Sequence, residues 1–382
     1  MAAHAYIGPS SMHRTIACPA HRQAEDAYPD SSSPYAREGT FLHELAQLCV
    51  DNKTSPEAYL GRVFEVEGEK FVVDMSVAGT VNYALKAFWD MVPEGATILT
   101  EQRVYCSEAI GHPDTFGTVD VIVFTDNGVI LIDWKFGAGV RVDATHNAQL
   151  QTYALGVVET FGALGPFNTM HLAIIQPRLN HVSEWVINED DLNVFRKQAH
   201  AAVQLALSDN PPFKAGDHCK FCKHAGNCDE LKNIVVNEFE ALPNPEDQAH
   251  TSDHLSRAMQ HVPLVELWAK AVRAEVERRL LNGHEIPGFK LVEGRRGHRK
   301  WTDAKAVEDA LKAMRVKNDQ MFEFKLITPT AAEKLVKAGK LGPRQWSSLE
   351  QHITQQGGKP SVATSDDPRP PVQNKLDFDL VG

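Results

Sequence analysis

The amino-acid sequence predicts an α/β protein followed by a smaller, mainly helical unit. Three observations predict this. Val119 to Thr125 and Val129 to Phe136 are rich in Val and Ile and are joined by Asp126-Asn127-Gly128, a strong hairpin signal. Helical periodicity flanks that hairpin, at Pro34 to Asp51 before it and at Ala144 to Phe161 after it. Beyond Leu242 the strand signals fade: Pro243-Asn-Pro-Glu-Asp reads as a linker, and His254 to Asn282 is strongly helical.

The other elements follow in order. Phe71 to Val92 predicts a second helix and Ala96 to Tyr105 the first strand, ahead of the hairpin. Met170 to Gln176 and Ser183 to Ile187 read as further strands, and Glu189 to Leu207 as a helix leading into a group of cysteines. Ile286-Pro-Gly-Phe turns into a short strand, with two or three short helices to about Ile353. From Thr354 onward the composition is that of a disordered tail. The expected organisation is 1–240, 241–353 and the tail 354–382. No internal repeat is visible.

The chain has 382 residues and a net charge of −11, which argues against unspecific adhesion to nucleic acid over the whole surface but leaves room for a local basic groove. Arg295-Arg296-Gly-His298-Arg299-Lys300-Trp301 is a weak candidate for one, and a solvated loop is an equally good reading. Neither a secretory signal nor an apolar run long enough to span a bilayer is present, so a cytoplasmic protein without a membrane partner is expected.

The hairpin carries the chemistry. With Asn127-Gly128 as the two turn residues, Asp126 lies opposite Val129 and Asp120 opposite Lys135. Side chains alternate along a strand, so Asp133 and Lys135 share a face and Asp120 joins them. A one-residue slip would send Asp120 to the other side. A surface charge ladder is the bland alternative, yet these strands are otherwise apolar, where unpaired acids are costly. Two acids can hold a divalent cation and a lysine can orient or deprotonate a water, the equipment for metal-assisted phosphodiester hydrolysis. Gln149 and Tyr153, four apart on the following helix, lie on one helical face. Glu101, on the first strand, has two readings, another site acid or a surface acid, of which the surface one is preferred, and Asp114 and Asp143 read as loop residues.

Six cysteines are present. Cys219-Lys-Phe-Cys222 and Cys228 have the close spacing of a metal or cluster site, and Cys18 is the best fourth ligand. Zn²⁺ bound by three cysteines with His218 or His224 is the rival, since spacing does not separate zinc from iron–sulfur. Either would close a loop of about two hundred residues. Cys49 and Cys106 read as buried small hydrophobes.

Taken together, these residues resemble the PD-(D/E)XK nuclease superfamily, in its RecB-type exonuclease branch. Gly39-Thr40-Phe-Leu-His43 resembles the first motif, Gly117-Thr-Val-Asp120 the second, Asp133-Trp134-Lys135 the D-x-K motif and Gln149-x-x-x-Tyr153 the Q-x-x-x-Y motif. Cys18 with Cys219, Cys222 and Cys228 resembles the iron-stapled version found in AddB-type and CRISPR-adaptation nucleases. The match spans roughly residues 10 to 232. No helicase motif or phosphate loop accompanies it, as in stand-alone phage and prophage nucleases.

The resemblance implies a restriction-endonuclease-like core, a mixed central sheet flanked by helices. It implies that His43, Asp120, Asp133 and the Trp134 carbonyl ligate Mg²⁺ or Mn²⁺, that Lys135 positions the attacking water, and that Gln149 and Tyr153 orient the DNA backbone. The four cysteines would carry a [4Fe–4S] cluster. The expected function is a metal-dependent DNA exonuclease in phage recombination, replication or end processing within a bacterial host cell. A phage single-strand-binding or recombination protein is a further expected partner. The alternative is a non-catalytic DNA-binding or assembly protein that retains the fold. In the tail, Gln373-Asn-Lys-Leu376-Asp-Phe378 resembles the peptide that docks on the bacterial sliding clamp.

Overall fold

The computed structural model describes residues 5–29, 33–240, 252–290, 292, 308–309, 312–314, 329–351 and 353. Chain contacts divide the protein into two units, Met1–Val292 and Glu293–Gly382. The clamp-like residues Gln373, Leu376 and Phe378, and the basic stretch at 295–301, lie outside the described residues.

The first unit is built on a five-stranded mixed sheet: β3 (Thr97–Tyr105), β4 (Phe116–Thr125), β5 (Gly128–Trp134), β6 (Thr169–Gln176) and β7 (His181–Ile187), in that spatial order. Every neighbouring pair is antiparallel except β5 and β6, whose parallel pairing is made by a crossover through α6 (Ala148–Phe161). Helices cover both faces, so β5 is buried along its whole length and reads as a continuous apolar run.

One face packs against α1 (Pro9–Ala17), α6 and α7 (Glu189–Ala206), through Met12, Leu150, Leu155 and Phe195 among others. The other packs against α3 (Pro34–Asp51) and α4 (Met75–Met91) through Phe41, Leu45, Leu85 and Phe88. Trp134, Phe41 and Phe88 are the largest fully buried side chains of that second core. Each contributes about 1.5–3 kcal/mol by leaving water.

Two expectations need correction. The helix expected from Phe71 begins at Met75, capped by Asp74, whose carboxylate accepts from the Val77 N–H at 2.8 Å. Phe71 instead belongs to a two-stranded hairpin, β1 (Val63–Val66) with β2 (Glu69–Val72), and its ring stacks on Phe41. Tertiary packing of an aromatic thus overrides local helical periodicity, and Ala96 to Tyr105 is not the first strand. Ile286 forms an isolated bridge with Phe289, and the strand expected to follow it runs into residues outside the described ones.

The hairpin register also differs. Thr125 pairs with Gly128, so the turn is Asp126-Asn127, and neither residue takes a positive φ. Gly128 is required for another reason: a Cβ there would sit 2.0 Å from the Thr169 carbonyl oxygen on β6. The glycine is spent on close approach inside the sheet, not on the turn. The displacement amounts to two residues, which preserves the face each side chain occupies.

A boundary near 240 is expected, but α9 (Ser252–Leu281) packs on the cysteine-bearing segment through Leu264, Leu267, Trp268 and Ala271. Gly226 allows this, since a Cβ would meet the Ala271 carbonyl oxygen at 2.6 Å. Buried Glu275 accepts hydrogen bonds from Asn227, Arg278 and Arg279 and locks the helix in place. In the second unit, helices Pro329–Lys337 and Pro343–Glu350 are described. Among the described residues no helix is long and apolar enough to cross a membrane.

Candidate active site

The site forms where β4 leaves β5. Their ladder ends at Val121↔Ile132, whereas β4 stays paired with β3 to Tyr105↔Phe116 and β5 with β6 to Trp134↔Ile175. In the gap, the Asp120 carboxylate takes the place of the missing ladder bond and accepts the Trp134 N–H at 2.6 Å. The result is a cleft of about 480 Å³ lined by His43, Asp120, Asp133, Lys135, Gln149 and Tyr153.

The strands are irregular at this point. Glu101 and Asp120 face each other between Thr100↔Val121 and Gln102↔Val119 without pairing, and Glu101 takes a left-handed φ of +46°. That conformation is strained for a residue with a side chain, by about 1–2 kcal/mol. Side-chain alternation inverts across the pair: Ile98 and Val121 belong to the second core, Leu99 and Ile122 to the first, yet Val104 and Val119 also fall in the first. The inversion turns the acids to where helices from both faces can reach them.

His43 comes from α3, with its edge against the Phe136 ring at 5.1 Å. Its Nδ1 lies 3.4 Å from Asp120 Oδ2 and 3.9 Å from Glu101 Oε1. From the other side, Lys135 Nζ lies 2.8 Å from Asp133 Oδ2 and donates to Gln149 Oε1 at 2.9 Å. The Gln149 amide donates to both Asp133 Oδ1 and the Tyr153 hydroxyl at 3.1 Å. Asn147 caps α6 by accepting the Leu150 N–H, which places Gln149 in the first turn and starts the helix at Ala148, later than the expected Ala144. Gly117 lets α1 and α6 close over β4, since a Cβ there would meet Pro9 at 2.5 Å and Tyr153 at 2.7 Å.

All the site residues expected around the hairpin therefore converge, with one omission. Glu101, expected on the surface, belongs to the site: His43, Glu101 and Asp120 have ligand atoms all within 4.8 Å of one another. Flanking Thr100, Gln102 and Arg103 made this strand look solvated, and only its pairing with β4 puts Glu101 beside Asp120. Asp133, expected as a metal ligand, is engaged by Lys135 and Gln149 on one oxygen, while its buried Oδ2 receives no aligned hydrogen bond. Lys135 Nζ is close to that oxygen, but off its line.

Three acids share this cleft with one lysine. Burial and the Asp133 charge raise Asp120 well above the usual carboxylate range, and burial with the Asp120 charge pushes Glu101 up to about 7. Burial lowers His43, keeping the imidazole neutral and open to ligation. Burial alone would lower Lys135 too, but the Asp133 and Asp120 charges outweigh it and hold the proton on. The excess of acids over the single lysine fits a divalent cation with oxygen and imidazole ligands.

Cys18, Cys219, Cys222 and Cys228 line a second, small cavity. The N-terminus reaches it through Glu25, which accepts from Arg14 and from the Lys223 N–H. Backbone N–H groups of Lys214 and Gly216 point to the sulfurs of Cys18 and Cys219 at 3.5 and 3.4 Å. Burial raises the Cys18 and Cys219 thiols and pushes Cys222 up to about 12. His218 is engaged by the Lys214 carbonyl and His224 lies against Tyr28 and Phe213. Cys49 and Cys106 are buried elsewhere, in the two cores.

A family model described as "Protein of unknown function (DUF2800)" matches residues 4–370. The chain belongs to the DUF2800 family. A solved structure described as "Crystal structure of SSO0001" is similar to this DUF2800 protein at 17% identity, over 58% of the present chain and 84% of its own, with a TM-score of 0.31. In this DUF2800 chain the family match takes in both the acidic cleft and the cysteine cavity.

Proposed function

We propose that the protein is a divalent-metal-dependent DNA nuclease of the PD-(D/E)XK type, RecB branch, acting as an exonuclease on a restriction-endonuclease-like core. The observation that carries this reading is the meeting of Asp120, Asp133 and Lys135 at parted strand ends, with Gln149 and Tyr153 behind them. His43, Glu101 and Asp120, with Asp133 beside them, would hold Mg²⁺ or Mn²⁺. Such an ion would supply charge neutralisation on the phosphate and a more acidic bound water. The Asp133 and Asp120 charges hold the proton on Lys135, which would orient the water and stabilise charge on the phosphorane. Gln149 holds Lys135 and Asp133 in register, and Tyr153, whose hydroxyl burial keeps protonated, steadies Gln149.

The test is cleavage of 5′- and 3′-labelled single- and double-stranded DNA with Mn²⁺ or Mg²⁺. Cleavage is expected in wild type and lost in Asp133→Ala and Lys135→Ala; equal cleavage by these variants in clean protein would refute the mechanism. Wild-type protein that binds DNA without cutting it would instead support a DNA-binding or assembly role.

For the cysteines we infer a [4Fe–4S] cluster. Four thiols around one cavity, with N–H groups aimed at the two buried sulfurs, support it, as does the engagement of His218 and His224 elsewhere. Brown protein after anaerobic purification is expected; colourless protein with stoichiometric zinc would rule the cluster out. The phage setting and clamp docking rest on sequence alone. The latter is tested by tail-peptide binding to a sliding clamp, lost with Leu376→Ala plus Phe378→Ala.

A further inference from the structure

The catalytic cleft adjoins a second, larger groove. Val140, on the segment that leaves β5, lines both the cleft and a groove of about 810 Å³ between α9 and the cysteine segment. The shared rim is fixed, because buried Gln176 at the end of β6 donates to the Val140 carbonyl at 2.9 Å. A polymer leaving the cleft past Val140 meets this groove next.

Leu264 and Leu267 of α9 form one wall, and the turn Asp217–Phe221 forms the other. Cys219 is buried within this turn, but Phe221 points outward: it is 63% exposed, and the Lys220 ammonium lies 5.6 Å from the centre of its ring. The turn is tied down on both sides, since the Arg14 guanidinium donates to the Phe221 carbonyl and Glu25 accepts the Lys223 N–H.

A single exposed phenylalanine is ordinary on a protein surface. The charge around this one is not. In a chain of net charge −11, the stretch from Lys214 to Lys223 carries exposed Lys214, Lys220 and Lys223 against one acid, Asp217. Exposed Lys270 faces them from α9, beside Glu266. Lysines thus outnumber acids here, the reverse of the whole chain. The cleft has no such supply: among the described residues lining it, Lys135 is the only lysine or arginine, and Asp133 and Gln149 engage it. Phosphates on either side of the one being attacked need cations from beyond the cleft.

We propose that this groove carries the unpaired DNA strand that runs into the cleft, with a base stacked on Phe221 and the phosphates passing Lys220 and Lys270. An aromatic face accepts any base whose own face is open, and lysines track the backbone without regard to sequence. In a duplex the base faces are covered, so the groove selects single strands. The inference rests on the nuclease reading and gives that site single-stranded DNA as its substrate.

The test is binding of fluorescent oligo-dT of about 15 nucleotides to the full chain without added metal, so that nothing is cut. Phe221→Ala should weaken binding by about tenfold or more, with the slope of log affinity against log salt as in wild type and duplex binding unaffected. Phe221→Trp should restore the affinity and lose indole emission when oligo-dT is added. Lys220→Ala combined with Lys270→Ala should instead flatten the salt slope by about 1.4, two phosphate contacts at ~0.7 each. Metal content at the cysteines and melting temperature should match wild type; if Phe221→Ala disturbs either, the emission change in Phe221→Trp decides. Wild-type affinity in Phe221→Ala, or an unchanged slope in the lysine pair, overturns the strand path, and labelled DNA still cut in Mn²⁺ leaves the nuclease reading standing. Binding that depends on Phe221 in a protein that cuts no DNA in Mn²⁺ keeps the groove and overturns the nuclease reading.

Discussion

Glu101 and Asp120 meet across two strands whose residues there are displaced from regular pairing, and the strain at Glu101 is local to the site. Such strain persists where surrounding structure enforces it, and here the β3–β4 ladder on both sides of the pair does so. Two predictions belong to this scale. Lys135→Ala should lower cleavage by at least about a hundredfold, the usual effect of losing one charge-stabilising donor, with little change in circular dichroism. The second concerns pH. Glu101 titrates near 7 in the fold against about 4.5 when unfolded, so between those values the folded state binds more protons. Stability of the metal-free protein should therefore fall as pH rises from about 4.5 to about 7, then level off. Affinity for Mn²⁺ should rise over the same window, since the metal competes with that proton. Calorimetric titrations at pH 5.5 and 8 check this, and equal affinities would remove Glu101 from the ligand set.

At the scale of elements, the hairpin shows how much a pattern of residues specifies. Alternation and the Asp-Asn-Gly turn signal place Asp120, Asp133 and Lys135 on one side, and a two-residue displacement leaves that grouping intact. What they do not reveal is the work of Gly128, which depends on β6 passing within reach. Gly128→Ala should destabilise by about 1–3 kcal/mol, the usual range for overpacking, read from urea unfolding. Helix α6 tells a similar story: the spacing of Gln149 and Tyr153 is visible, while the cap at Asn147 that sets where they stand is only one of several polar residues in that loop. Asn147→Ala should cost about 1 kcal/mol and lower cleavage through Gln149, and a stability loss with full activity would show that the cap does not register the site. Phe71 illustrates the limit, since the stack on Phe41 outweighs its helical surroundings.

Across the whole molecule, the cysteine cavity ties the first helices to the segment after the sheet, and α9 is locked onto that same segment. A metal or cluster held by Cys18 and Cys219 would close about two hundred residues, a constraint of about 5 kcal/mol on loop-closure arithmetic. Cys18→Ser should accordingly lower the melting temperature sharply and expose α9 to limited proteolysis, while wild type resists. Unchanged melting and proteolysis would mean that the hydrogen bonds of Glu25 and Glu275 alone hold this region. A Pro-rich linker is a local signal, and whether the next helix packs back onto the preceding segment depends on contacts such as Gly226 with Ala271.

By itself the sequence determined the α/β class, the grouping of the acids and lysine, the pairing of Gln149 with Tyr153, and the four-cysteine set. Each follows from short-range periodicity or from residue types that are costly anywhere except in a site. Only the tertiary structure decided that β4 parts from β5 at Asp120, that Glu101 joins the acids, and that α9 closes over the cysteines. Those outcomes depend on strands and helices distant in sequence competing for the same space and the same hydrogen bonds.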